Sequence, residues 1–401
     1  SVMASIRKEV GSDPLPNVFA SYADNAYAIE KMGYLADLDP YFTKEELAEY
    51  VDSYIEEGRI GTEGQLKIFP TAKSTEIMML NKTDWEPFAA ATGATLEQLA
   101  TKEGLVEVAK RYYEWTDAQT PDTPNDGRAL YGRDAMANLF NVGFRQLGKE
   151  IFGVQNQKLT LDTDRTVLKE IWDFYYIPYV NGYFSAYGKF RSDDVKIGEI
   201  IAFTGSTTSS SYFPDKVTID EDESYAIDYV VLPDPVFESG SKVAVQQGAG
   251  MVVTKSDTRT EKACVEFLKW FTETERNLEF SSISGYLPVK KAAVDLQALD
   301  RVLDTKHLEI NAKVRDVVQV CFEDMKDYTL YTNRAFEGGS AARKVLENHL
   351  ADQARQDREQ VVQALAAGQT REEALAPYLT EEAFEDWYQD FCAALQEAAQ
   401  G

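Results

Sequence analysis

A chain of 401 residues exceeds what one hydrophobic core usually serves, which points to two domains. Hydrophobic residues at 44% and charged residues at 27% are ordinary for a globular protein and exclude a disordered, collagen-like or disulfide-stapled class. The 41 Lys plus Arg stand against 67 Asp plus Glu, and the formal net charge of −26 repels phosphate backbones and anionic lipid, which argues against nucleic acid as a partner.

No apolar run reaches the roughly 18–20 residues that cross a bilayer. Ser1–Val10 reads as an amphipathic helical fragment and not as a signal peptide. Asn17–Ser21 is a strand candidate that runs into the polar patch Tyr22-Ala-Asp-Asn25. Thr43-Lys-Glu-Glu46 fits a capping box and predicts one helix with Leu47, Tyr50, Val51 and Tyr54 on a single face. Gln65–Phe69 alternates as a strand, and Glu76–Asn81 is a second, apolar one. Thr95-Leu-Glu-Gln98 caps a helical region that reaches Trp115; turn residues over Thr120–Gly127 mark a loop, and Ala129–Tyr131 is a strand after it.

Val167, Ile171, Phe174 and Tyr175 keep helical spacing, and Val195–Phe203 ends in a strand before the small polar run Gly205–Ser211. The acidic turn Asp220–Glu223 precedes a strand over Ala226–Leu232, and Ala249–Val253 is another. Thr258–Glu261 is expected to cap a helix that turns Ala263, Phe267, Trp270 and Phe271 inward. From Asn311 the pattern is nearly all helix, closing with the apolar stripe Phe384, Trp387, Tyr388 and Phe391. Strands recurring between helices predict an α/β architecture.

Catalytic motifs are missing from this pattern: there is no P-loop, no G-x-G-x-x-G after a strand and no G-x-S-x-G elbow. His307 and His349 lie on charged stretches and read as surface residues. Cys264, Cys321 and Cys392 are too scattered for a disulfide framework or a zinc site. Asp220-x-Asp222-x-Ser224 begins like a calcium loop, but Val231 stands where the closing Glu belongs, so a solvated turn is favoured. Asn81-Lys-Thr83 matches a glycosylation sequon of a kind that arises often by chance. No metal or cofactor is expected. What stands out is tyrosine, with 22 copies, several beside polar groups just after strands. Tyr22 sits with Asp24 and Asn25, Tyr212 follows the Ser/Thr run, Tyr286 follows Gly285, and Tyr331 stands near Asn333 and Arg334. Such rings offer an apolar face and a polar edge, as sugar rings require.

Six segments in order carry a resemblance. They are Leu15–Phe19 with Ala28–Leu38, Phe69–Glu76 with Leu80-Asn-Lys82, Gly198–Phe203 with Gly205, Gln246–Lys255, Ala263–Thr272 and Ser284–Val289. Together they resemble the extracellular solute-binding proteins of ABC importers, family 1, of sugar-binding type. The resemblance implies a two-lobed periplasmic-binding-protein-like α/β fold with a hinge and an interlobe cleft. The lobes would be residues 1–74 with 253–305 and residues 75–252 with 306–401, with crossovers near Lys73–Ile77 and Gln247–Val252. The family's opening βαβ unit, on the order of 40–60 residues ahead of the segment at Leu15, has no counterpart, so the first lobe is expected to lack central strands here.

Carried over loop by loop, the resemblance implies ligand contacts at Tyr22, Asp24 and Asn25, and at Lys73, Ser74, Thr75 and Glu76 of the first crossover. It adds Arg133, Asp134, Ser206, Thr207, Thr208, Tyr212, Gln247, Tyr286, Tyr331, Asn333 and Arg334. The implied protein is a monomer without enzymatic activity or cofactor, extracellular, and lipid-anchored or periplasmic. It would hand a small-molecule solute, foremost a sugar, to the membrane subunits of an ABC transporter. Two other readings stand beside it: a carbohydrate-active hydrolase using paired carboxylates such as Asp24 and Glu76, and a binder of a cationic or peptide ligand drawn by the negative field.

Overall fold

The computed structural model describes residues 2–155 and 158–400; Ser1 of the expected opening fragment lies outside them, and Val2–Ile6 is helical. Two sheets organise the chain. The smaller has three strands in the order Val18–Ser21, Gly250–Val253, Ile68–Phe69, all neighbours antiparallel. The larger runs Tyr229–Pro233, Glu76–Asn81, Ala202–Ser206, Tyr131–Arg133, with only the last pairing parallel.

Glu76–Asn81 is the larger sheet's central strand, and all six of its residues are buried. Side chains alternate across a strand, so its two faces serve two cores. Met78 and Leu80 join Phe140, Ile171, Trp172, Leu346 and Phe391 on one side. Ile77 and Met79 join Phe203, Leu278, Leu299 and Val317 on the other. The smaller sheet has a separate core of Leu38, Tyr54, Leu66, Phe69, Val253 and Leu268. Between the sheets the chain crosses as single bridges, Lys73 with Leu287 and Ser74 with Gln247, beside a parallel ribbon of Val243–Val245 and Thr329–Tyr331.

Several local expectations shift. The Thr43 capping box forms, Thr43 Oγ1 accepting from Glu46 N at 3.1 Å and Glu46 Oε2 from Thr43 N at 2.7 Å. Its helix, however, stops after Lys44–Ala48 and a second one starts at Asp52–Glu57. Val51 is extended between them because its N–H donates to Val289 O at 3.0 Å, a tertiary bond that replaces a helical one. The Thr95 box opens a 3-10 turn, Leu96–Ala100, and the extended Thr101 caps a separate helix, Lys102–Asp117. Gln65–Phe69 contracts to Ile68–Phe69, the strand at Ala129–Tyr131 moves to Tyr131–Arg133, and Val195 closes the helix Arg191–Lys196. The span Ala226–Leu232 divides between the strands Ser224–Ala226 and Tyr229–Pro233.

The helix Thr258–Phe271 is capped by Asp257, and its buried residues are Val265 and Leu268. Phe267 and Trp270, expected inward, are about half exposed at 49% and 47% and stack on each other, while Ala263 is exposed. His349 is likewise no simple surface residue. It packs edge-on against Phe391 and Trp387, and burial pulls its imidazole pKa down. Asn81 is fully buried and caps the helix Lys82–Thr92, so the sequon is not an accessible acceptor in the folded chain. Asp220 Oδ1 accepts from Asp222 N and Glu223 N, both at 2.8 Å, which makes the acidic segment a side-chain-capped turn. No helix among the described residues is long and apolar enough to cross a membrane.

Candidate functional site

The site is built where the chain crosses between the sheets. Ser74 and Gln247 exchange both backbone bonds, at 2.9 and 3.0 Å, which ties the first crossing to the second. Ser74 Oγ lies 2.8 Å from Thr207 Oγ1, and Thr207 N donates to Thr75 O at 3.0 Å. The end of the Ala202–Ser206 strand is thus held against the crossing. Ser206 and Thr208 share a hydroxyl bond of 2.9 Å just beyond it. Thr75 Oγ1 is buried with no hydrogen-bond partner among the described residues.

Behind this pair lies a buried charge network. Glu76 Oε2 accepts from Arg133 Nη2 at 2.6 Å, and its Oε1 from Asn138 Nδ2 at 3.0 Å. Burial pushes the Glu76 carboxyl up, while Arg133 and Asn138 pull it back; Glu76 and Asp234 in turn hold the Arg133 guanidinium firmly charged. Asn138 Nδ2 also donates to Gln247 Oε1 at 2.8 Å, and Arg343 Nη2 donates to Asn138 Oδ1 at 3.1 Å. Arg343 belongs to the long helix Gly339–Ala366, whose first residue meets Asp24. A Cβ on Gly339 would fall 2.6 Å from Asp24 Oδ1, so only glycine lets that carboxylate reach the helix start. Burial raises the Asp24 pKa and Arg343 opposes the rise.

The remaining wall is aromatic. Tyr286 is half-buried with its ring over Phe280, centroids 6.2 Å apart at 23°, and burial pushes its hydroxyl pKa up. Tyr22 is 63% exposed. Gly285, at φ 73°, closes the preceding helix and sits on Thr207 and Thr208, 3.4 Å from where its Cβ would lie. The contacts therefore run in one connected series. Asp24 meets Gly339 near Arg343, Arg343 bonds Asn138, Asn138 bonds Gln247, Gln247 pairs with Ser74, and Ser74 touches Thr207. Thr207 lies under Gly285, beside Tyr286.

Not every expected residue joins it. The Lys73 ammonium is buried on Glu57 Oε2 at 2.6 Å and Gly248 O at 3.0 Å, so it fastens the crossing. Arg133 is enclosed behind Glu76, and Asp134 accepts the Arg191 N–H at 2.8 Å. Asn25 and Tyr212 are exposed at the margin. Tyr331, Asn333 and Arg334 line a different cavity of about 440 Å³ with Tyr27, Glu56 and Arg59. There the Tyr331 hydroxyl donates to Glu150 Oε1 at 2.9 Å and the Arg145 guanidinium lies 5.7 Å over its ring. Sequence reasoning missed Asn138, Arg343 and Glu57. One signal was available: Asn138 stands in the otherwise apolar run Met136–Phe140, where a buried amide needs partners.

The family model for bacterial extracellular solute-binding proteins matches residues 2–307. Among solved structures the chain is similar to UgpB from Mycobacterium tuberculosis in complex with glycerophosphocholine, at 18% identity over 99% of this chain and 87% of that one, TM-score 0.66. It is similar to the cyclic alpha-maltosyl-1,6-maltose binding protein from Arthrobacter globiformis, at 18% identity over 99% and 88%, TM-score 0.64. The substrate-binding protein Lmo0181 from Listeria monocytogenes in complex with cycloalternan matches at 14% identity over 98% and 88%, TM-score 0.64. No curated protein sequence matches. At such identities the likeness establishes the fold, two-lobed and of periplasmic-binding-protein type.

Proposed function

Because the chain belongs to the bacterial extracellular solute-binding proteins, we propose that it is the substrate-binding component of an ABC importer and captures a carbohydrate between its lobes. The observation that carries this reading is the connected series of polar residues running from Asp24 to Gly285, to which both lobes and two crossings contribute and which tyrosines flank at either end. Tyr22 and Tyr286 supply ring faces, while Asp24, Arg343, Ser206 and Thr208 supply partners for hydroxyl groups. The protein acts as a cell-surface or periplasmic monomer that delivers its solute to membrane subunits. Of the two carboxylates of the hydrolase reading, Glu76 is not presented as a free acid or base, because Arg133 and Asn138 enclose it.

We assign the lobes with boundaries near 74 and 252, and place the helices Thr274–Ser284 and Leu296–Lys306 with the second lobe. Leu278, Leu299 and Val302 share a core with Ile77, Met79 and Phe203, which favours that placement over the first lobe.

A thermal-shift panel of maltose, maltotriose, cycloalternan, glycerophosphocholine and spermidine tests the reading, because a ligand that binds the native state raises its melting temperature. A shift with one or more sugars, with no shortened product in chromatography, is expected. Turnover of a sugar, or a shift with spermidine alone, overturns it.

A further inference from the structure

We propose that Asn138 is a positioning residue that couples the cleft wall to both crossing strands; its importance for solute capture rests on the reading above, but the coupling itself does not. Its side chain is 2% exposed and makes three bonds, to the head of a strand of the larger sheet, to the second crossing and to the long helix. Nδ2 donates to Glu76 Oε1, at the head of the larger sheet's central strand, and to Gln247 Oε1 on the second crossing. Oδ1 accepts from Arg343 on the long helix that meets Asp24 of the first lobe. A primary amide has two N–H donors and one oxygen acceptor, so the group is used on both sides at once.

The helix that carries Asn138, Met136–Gln146, is gripped a second time by the same partner. The Glu347 carboxylate, one turn beyond Arg343, accepts from Met136 N at 3.3 Å and Ala137 N at 3.0 Å. The start of Met136–Gln146 therefore follows Gly339–Ala366 as a unit. A group that draws Arg343 into the cleft either strips Asn138 of its oxygen-side bond or drags the amide along. Both outcomes change the alignment of Nδ2 towards Glu76 and Gln247, and Gln247 is paired through its backbone with Ser74. Nothing else is needed to carry a pull on Arg343 to the point where the two crossings are tied. Aspartate has the shape of this side chain but lacks the donors, and it would place a second carboxylate against Glu76.

Amide hydrogen exchange on the full ligand-free chain tests the coupling, read at Ser74 and Gln247, whose backbone bonds close the bridge. Arg343 bonds to neither, so its truncation can reach them only through an intermediary. Arg343→Ala is expected to speed exchange at both amides by about tenfold, and to do nothing further in an Asn138→Ala background. Equal acceleration in both backgrounds, or none in either, overturns the proposal. Should Asn138→Ala fail to fold, Asn138→Asp paired with Glu76→Gln restores a donor facing an acceptor with the polarity reversed, and the Gln247 amide, turned over from its 3.4 Å bond to Thr75 O, donates its Nε2 to the new carboxylate. That pair is expected to recover slow exchange and its sensitivity to Arg343→Ala, where Asn138→Asp alone does not; a pair no slower than the single variant overturns the proposal. Because no solute is present, a negative sugar panel would sink the functional reading and leave this result intact.

Discussion

Asp324 pays for burial without a strong partner. It sits in the last turn of the helix Ala312–Asp327, where loss of water pushes its carboxyl up to about 7 and Lys242 offsets only part of the rise. The native state then binds the proton more tightly than the unfolded chain, so the ionised form destabilises the fold above that value, and the penalty fades as pH falls towards the unfolded 3.8. Asp324→Asn is expected to raise the melting temperature at pH 8 and to lose that gain on titration to pH 4. An equal gain at both ends would mean packing, not protonation. Glu76 and Arg133 show the opposite economy, a buried pair whose cost appears only when it is broken. Arg133→Ala strands a carboxylate in the core and should lower unfolding free energy by about 3–5 kcal/mol, while removing both charges together with Arg133→Met and Glu76→Leu should cost clearly less. Urea unfolding of the single and the double variant measures the difference.

At the scale of elements, the helix Thr258–Phe271 shows how a single turn of phase decides which side chains matter. Leu268 is buried in the smaller lobe's core and Trp270 is half exposed under the Arg276 guanidinium, 4.3 Å from its ring. Leu268→Ala should cost about 2–5 kcal/mol and Trp270→Ala under about 1, the reverse of what aromatic size suggests. The phase was hard to read because Phe267, Trp270 and Phe271 are the bulkiest apolar residues of the helix, and they gather on one another beside its buried stripe. Where local chemistry decides, the sequence was sufficient: the Thr43 box forms, and the Glu76–Asn81 strand has the expected bounds because six residues that all bury leave no other element to choose. Where a distant partner decides, it was not. Val51 breaks its helix for Val289, which no local pattern announces. The candidate site divides in the same way. Tyr22, Ser74 and Tyr286 stand on strand ends and turns that their neighbours mark, and Asp24 and Thr207 lie in the first turns of the helices Ala23–Lys31 and Thr207–Tyr212 that follow strands, whereas Asn138 and Arg343 lie within helices and gain their roles from tertiary pairing.

Across the whole molecule, two sheets with separate cores are joined by crossings that are each only a few residues wide, so relative motion of the lobes costs little core packing. Closure must then be driven by contacts a solute makes with both sides, and only differential contacts count. Tyr22 is exposed two residues before Asp24, where the contact series begins; Tyr331 has its hydroxyl on Glu150 and lines a cavity away from that series. Tyr22→Ala should therefore weaken binding of the sugar found in the panel by about 1–3 kcal/mol, and Tyr331→Ala by less than about 0.5. Calorimetry on the two variants at low and at high salt separates stacking from charge. A net charge of −26 would make capture of a cation fall steeply as salt screens it, whereas a neutral sugar held by rings and hydroxyl partners keeps its affinity. Small-angle scattering should show the chain contract with that sugar. Equal losses in the two tyrosine variants would join Tyr22 and Tyr331 in one binding surface, and a strong salt dependence would replace the sugar with a charged solute.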